Sequence, residues 1–220
     1  MYPVSLNITG KLCVIVGGGR VAARKVSGLL AAQGRVRIVS PNLISELKEL
    51  AESSRIEWLK RTYRSGDLAG ALLVYAATDN PDVQLQVASE AEQNNQLINV
   101  IDTPALCSFQ VPAVVRRGDL VLTVSTNGKS PALSSRIRQD LESCFGQEYA
   151  SLLRLMAVLR EQILASNLDC RERKMAFKKI LHKDIVDWIA EEQWDLLQDH
   201  LRTVLGKDMD IDMSQLGRDT

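Results

Sequence analysis

No charge of one sign dominates this chain: 27 Lys and Arg residues stand against 27 Asp and Glu. A balanced surface lacks the basic field that nucleic acid or an anionic membrane demands, so neither is an expected partner. No run approaches the roughly 18 consecutive apolar residues of a membrane span. Residues 1–7 carry no basic segment leading into an apolar stretch, as a secretory leader would. The expected compartment is therefore cytoplasmic. Cysteine is scarce: Cys13, Cys107, Cys144 and Cys170 include no Cys-x-x-Cys pair, and the two histidines, His182 and His200, stand apart. That supply matches no zinc or iron–sulfur spacing, so no resident metal is expected, and both histidines read as surface residues. Internal repeats and low-complexity segments are absent too.

What is present is an alternation. The 220 residues suffice for one large domain or two small ones. Residues 11–16 form an apolar run that ends in three glycines. Ala22, Val26, Leu29 and Leu30 then fall on one helical face, with Gly34 as the expected stop. Residues 36–39 read as a second strand, 44–53 as a helix, 56–59 as a short strand, 71–77 as the most apolar strand, 81–94 as a helix and 97–100 as a strand. Strands without polar alternation, separated by helices, predict a Rossmann-like parallel sheet covered on both faces, and hence an α/β class. The texture then changes. Residues 111–115 and 120–125 predict a hairpin about a short polar connection containing Gly118. Ser130-Pro131 opens a helix. From about residue 147 the pattern is all-helical, with Leu152, Leu153, Met156, Leu159 and Ile163 as one apolar stripe. Leu181, Ile185, Leu196, Leu197 and Leu201 are among the later apolar positions. The last dozen residues are polar and expected to fray.

Gly17-Gly18-Gly19-Arg20-Val21-Ala22 matches Gly-x-Gly-x-x-Ala between a strand and a helix. Gly17 permits the turn and Gly19 lets the backbone approach a pyrophosphate. Ala22 lets helix and strand pack closely, and the helix N-terminus offers free N–H groups. The pattern therefore predicts a dinucleotide site. The acid that usually ends the second strand and holds the ribose is missing; Ser40-Pro41-Asn42 stands there. Ser40 and Asn42 offer neutral hydrogen-bonding groups, and the residues alone leave NAD and NADP both open. Asp102 follows the strand at 97–100, at the carboxyl end where open α/β sheets place their ligands. Asp102-Thr103-Pro104 is also a good turn sequence.

These pieces resemble one family. Tyr2-Pro3-Val4, the run from Val14 to Gly19, Ala22-Ala23-Arg24-Lys25, Ala76-Ala77-Thr78-Asp79, Asn99-Val100-Ile101-Asp102, Ser108-Phe109, Val111-Pro112-Ala113 and the stretch from Val124 to Pro131 look like the dehydrogenase/ferrochelatase module of sirohaem synthases. That module also occurs as free-standing precorrin-2 dehydrogenases. The resemblance implies an NAD-binding Rossmann domain at residues 1–113, a small central dimerisation region at 114–146 and a C-terminal helical domain at 147–220. It implies a homodimer that oxidises precorrin-2 to sirohydrochlorin, with NAD as the cofactor. In some members ferrous iron is then inserted as a second substrate. The chain is too short for an appended methyltransferase domain, so a free-standing dehydrogenase is expected.

The same resemblance implies roles. Asp102 serves dehydrogenation and chelation, and its carboxylate would accept the proton released as hydride leaves. Thr78 joins Gly17, Gly18, Gly19, Arg20, Val21, Ser40, Pro41 and Asn42 at the cofactor. Precorrin-2 carries carboxylates that need hydroxyls, N–H donors and cations, which Ser125, Thr126, Asn127, Gly128, Lys129 and Ser130 would supply, with Arg136 and Arg138 on the following helix. Thr126 matches a serine that some relatives phosphorylate. Ser108 falls in the family's pocket region, while Phe109 suits the core equally well. A different class stays open, a non-catalytic module that senses NAD.

Overall fold

Apolar runs that must be covered on two sides become a sheet between two layers of helices. In the computed structural model, which describes residues 1–206, the chain divides into Met1–Val111 and a second unit from Pro112 onward. The polar C-terminal dozen lies outside the described residues.

The first unit is a five-stranded parallel sheet. Its strands are β1 (Leu12–Val16), β2 (Arg35–Val39), β3 (Glu57–Leu59), β4 (Ala71–Ala76) and β5 (Leu97–Val100), in the order β3-β2-β1-β4-β5. Helices α1 (Arg20–Ala31), α2 (Ser45–Glu52) and α3 (Pro81–Gln93) make the crossovers. Alternate residues of each strand face opposite ways. Cys13, Ile15, Ile38, Leu73 and Tyr75 pack with α1 and α2, while Val14, Val16, Val39, Val74 and Ile98 pack with Leu68 and with Val87, Ala88 and Ala91 of α3. This double burial explains why the strands carry no polar alternation.

The helices end alike. After α1, α2 and α3 the chain passes through Gln33, Ser54 and Asn95 at φ 57°, 57° and 53°. In each case the following N–H reaches back to the turn: Gly34 to Leu29 O, Arg55 to Leu50 O and Gln96 to Ala91 O, at 2.9, 2.9 and 2.8 Å. These are Schellman closures. The expected stop at Gly34 is thus displaced by one position, because Gln33 takes the left-handed residue.

In the second unit β6 (Ala113–Arg117) and β7 (Leu120–Val124) form an antiparallel hairpin, followed by α4 (Pro131–Cys144), α5 (Glu148–Ala165), α6 (Cys170–Ile180), α7 (Ile185–Ala190) and α8 (Trp194–Leu205). The first strand begins at Ala113 rather than at 111, since Pro112 has no N–H for a ladder. Leu155, Leu159, Ile163, Ile180, Leu197 and Leu201 are the innermost residues of the helical core. The buried stripe of α5 runs through Leu152, Leu155, Leu159 and Ile163, so Leu155 takes the place expected for Leu153 and Met156. Leu181 and Leu196 are exposed. Asp169 and Glu172 close a capping box at the start of α6.

His182 and His200 are not plain surface residues. The His182 ring stacks on Trp188 with 5.0 Å between centroids and 6° between planes, and His200 sits 5.2 Å from His182. Among the described residues no cluster of His, Cys, Asp and Glu could hold a metal ion, and no helix is long and apolar enough to cross a membrane.

Candidate functional site

The strand order reverses direction between β1 and β4, and in open α/β sheets that switch is where ligands bind, outside the carboxyl ends of the strands. The structure brings four predicted groups to that edge: the glycine loop after β1, Ser40–Asn42 after β2, Thr78 after β4 and Asp102 after β5.

Gly17 and Gly18 meet different neighbours. Gly17 has φ +124°, and a β-carbon there would lie 2.0 Å from Ala77 O. One on Gly18 would lie 2.1 Å from Asn42 O and 2.8 Å from Ser40 Oγ. So Gly17 and Gly18 seat the loop against the exits of β4 and β2. Gly19 has nothing among the described residues within 4 Å of the equivalent position. It precedes Arg20 at the start of α1, whose first turn has no side-chain cap. An open approach to uncapped N–H groups fits a pyrophosphate. Ala22 is fully buried beneath the turn. Arg20 and Val21 continue into a groove of about 980 Å³ shared with Arg24, Ser27, Ser45 and Glu46.

Around the ribose position the groups are partly committed. Ser40 is buried, its hydroxyl donates to Asn42 O at 2.7 Å, and its own carbonyl accepts from Trp58 Nε1 at 2.9 Å. Pro41 and Asn42 remain exposed. Arg37 pairs with Glu57 at 2.9 Å and is not free for a phosphate.

Asp102 is exposed and holds φ +58°, a left-handed conformation that Asp tolerates better than most residues. Among the described residues no group hydrogen-bonds or ion-pairs with its carboxylate, so it does not serve as a cap for the 3₁₀ turn Pro104–Leu106. The neighbours of Asp102 are tied instead: Ile101 N–H donates to Ala76 O at 3.1 Å, and the Thr103 hydroxyl donates to Gln84 Oε1 at 3.2 Å. Gln84 was not legible as a site residue. Its only sequence signal is its place in the first turns of a helix that Asn80 caps.

Ser108 and Phe109 serve the framework. The Ser108 hydroxyl accepts from Ile98 N–H at 2.8 Å, and Cys107 Sγ lies 3.2 Å from both Val100 N and Val100 O. Together they cover the free edge of β5. Phe109 packs edge-on against Tyr75, with centroids 5.5 Å apart. Lys25 Nζ lies over the same Tyr75 ring, 5.4 Å from its centre. Burial, then Arg24, hold its ammonium below the ordinary lysine pKa.

In the second unit, residues 125–130 join β7 to α4. Thr126 Oγ1 accepts from Ser130 N–H, donates to Ser130 O and contacts Ser134 Oγ, each at 3.1 Å. Ser125 Oγ accepts from Asn127 N–H, and Ser130 Oγ accepts from Leu133 N–H, both at 3.2 Å. The hydroxyls thus build the loop. Asn127 and Gly128, both at positive φ, and Lys129 stay exposed. Arg136 and Arg138 pair along the helix with Asp140 and Glu142.

Comparison with known proteins matches residues 4–113 to a family described as putative NAD(P)-binding, and residues 117–143 to the sirohaem biosynthesis protein central region. The siroheme synthase of Pseudomonas aeruginosa strain LESB58 is 34% identical over 203 residues, which is 90% of this chain and 44% of that protein. The siroheme synthase of Pseudomonas fluorescens strain SBW25 is 38% identical over 186 residues, 84% of this chain and 40% of that one. The chain spans less than half the length of these relatives. Among solved structures, SirC, a precorrin-2 dehydrogenase, superposes with TM-score 0.78 at 26% identity, covering 91% of this chain and 98% of SirC.

Proposed function

The chain belongs to the putative NAD(P)-binding family and carries the sirohaem biosynthesis central region, and from that membership we propose that it oxidises precorrin-2 to sirohydrochlorin with NAD. The observation that carries this reading is the convergence of the open Gly19 approach, Thr78 and the unpartnered Asp102 carboxylate on one sheet edge. The likeness to SirC over nearly all of SirC's length supports it.

NAD bound at the glycine loop supplies the hydride acceptor. Gly19 and the first turn of α1 receive the pyrophosphate, and Arg20, Val21, Pro41 and Asn42 border the adenosine half. Asp102 would take the second proton lost by the macrocycle, so that of the two electrons and two protons removed, both electrons and one proton would leave together as hydride and the other proton would pass to the carboxylate. In the second unit the exposed Lys129, with Asn127 and Gly128, offers a cation and N–H donors to substrate carboxylates, on a loop shaped by Ser125, Thr126 and Ser130. Ser108 acts by fixing the strand that delivers Asp102.

A second reading adds insertion of ferrous iron as a substrate, supported by the siroheme synthases among the relatives. The organisation into residues 1–113, 114–146 and 147–220 belongs to the same proposal, as do a cytoplasmic location and a second copy of the chain as partner. The two-stranded β6–β7 sheet with its exposed Val121 supports that partner, since such a ribbon gains from further strands.

The test is an anaerobic assay with precorrin-2 and NAD, following NADH and the sirohydrochlorin spectrum, with a parallel reaction containing ferrous iron. NADH formation supports the dehydrogenase, and sirohaem above the enzyme-free rate adds the chelatase. Bound NAD without any NADH would overturn the reading in favour of a sensor.

A further inference from the structure

Gln84 is the fourth residue of α3 and is half-buried. Its Nε2 donates to Thr78 O at 2.7 Å and lies 3.4 Å from Ile101 O, while its Oε1 accepts from the Thr103 hydroxyl at 3.2 Å. One side chain thus holds the loop after β4 and both residues that flank Asp102. Two carbonyls call for N–H donors and a hydroxyl calls for an acceptor, and a carboxamide of this reach meets both demands. The helix end that carries it is itself fixed, because Asn80 Oδ1 accepts from Asp82 and Val83 N–H at 3.0 and 3.2 Å.

Asp102 sits in the left-handed region, and no group among the described residues bonds to its carboxylate, so its aim depends on how its neighbours are held. We propose that Gln84 is a positioning residue for the oxidation, setting the Asp102 carboxylate relative to the cofactor loop at Thr78. This rests on the reading of Asp102 and Thr78 given above. Gln84 touches neither reacting atom; it acts through the two loops. A displacement of about 1 Å at a reacting group can cost about a hundredfold in rate, so loosening this junction has a large effect on turnover.

The test compares Gln84→Met, which keeps length and loses all three bonds, with Gln84→Glu, which keeps the acceptor and sets a carboxylate against two carbonyls. Each is made alone and with Asp102→Asn. Expected for Gln84→Met are a near-normal melting temperature and a fall in kcat of about tenfold or more. Gln84→Glu falls further. With Asp102→Asn already present, Gln84→Met lowers kcat by less than twofold, because the group it positions is gone. The same fall in both backgrounds, or no fall at all, overturns the proposal. Amide hydrogen exchange provides a readout free of activity: Ile101 and Leu106 exchange faster in Gln84→Met, while Val87 and Ala88 in the buried half of α3 do not change. Unchanged exchange at Ile101 and Leu106 overturns the clamp itself. If the wild-type chain fails to oxidise precorrin-2, the functional reading falls, and exchange still decides whether Gln84 holds the two loops.

Discussion

A β-carbon on Gly17 would lie 2.0 Å from the carbonyl oxygen of Ala77, whereas one on Gly19 would meet nothing among the described residues within 4 Å. The two glycines of the loop therefore serve separate ends, one the junction of β1 with β4 and the other the space in front of α1. Gly17→Ala combines a backbone at φ +124° with a clash against main chain, and is expected to cost about 3 kcal/mol or more. Gly19→Ala keeps the melting temperature and weakens NAD binding about tenfold or more, since its methyl occupies the approach to the N–H groups. Thermal melts and NAD titration on both variants separate the two roles. A Gly19→Ala protein that binds NAD normally would show that the pyrophosphate lies elsewhere.

Asp102→Asn retains side-chain size and tolerance of the left-handed backbone, and it removes the carboxylate. Nothing described depends on that carboxylate for folding, so stability should stay within about 0.5 kcal/mol. NAD affinity should hold as well. The expected fall in kcat is about a hundredfold, at the lower end of what a positioned general base supplies. Turnover near the wild-type value would remove Asp102 from the mechanism.

The ion pair between Arg61 and Asp67 gives a pH signature to the first unit. Arg61 grips both carboxylate oxygens at 2.6 and 2.7 Å, and Arg64 N–H donates to Asp67 at 2.8 Å. The Arg61 hydrogen bond is the main cause holding the Asp67 pKa below the ordinary carboxylate value. A depressed folded-state pKa contributes stability that is present above the unfolded value, near 4, and is lost as pH falls through the folded one. Asp67→Asn should cost about 2 kcal/mol at pH 7, less than for a fully enclosed pair because Arg61 is a third exposed. Denaturation at pH 7 and at pH 3 checks the sign, and the gap between variant and wild type should be smaller at the lower pH.

Much of this was legible in the residues. Strands buried on both faces announce themselves as unbroken apolar runs, and β1, β4 and β5 appear where Val14, Val74 and Ile98 predicted them. The glycine loop was legible because its chemistry is local to six positions. What escaped depends on contacts between distant segments. The commitment of the Ser40 hydroxyl to Asn42 O, and the way Ser108 mends the edge of β5, arise only when the loops meet. Gln84 looks like any polar residue on a helix until Thr78 and Thr103 converge on it. The stacking of His182 on Trp188 likewise needs the turn between α6 and α7 to bring two rings parallel.

Gln33, Ser54 and Asn95 share a conformation that glycine adopts more readily. All three lie where helices feed into strands, at the amino end of the sheet and therefore opposite the dinucleotide loop. For ordinary side chains the left-handed backbone costs about 1 kcal/mol, so Gln33→Gly and Ser54→Gly should each raise the melting temperature, with Asn95→Gly giving less. The protein thus has unused headroom for thermostabilisation at the end of the sheet remote from the glycine loop.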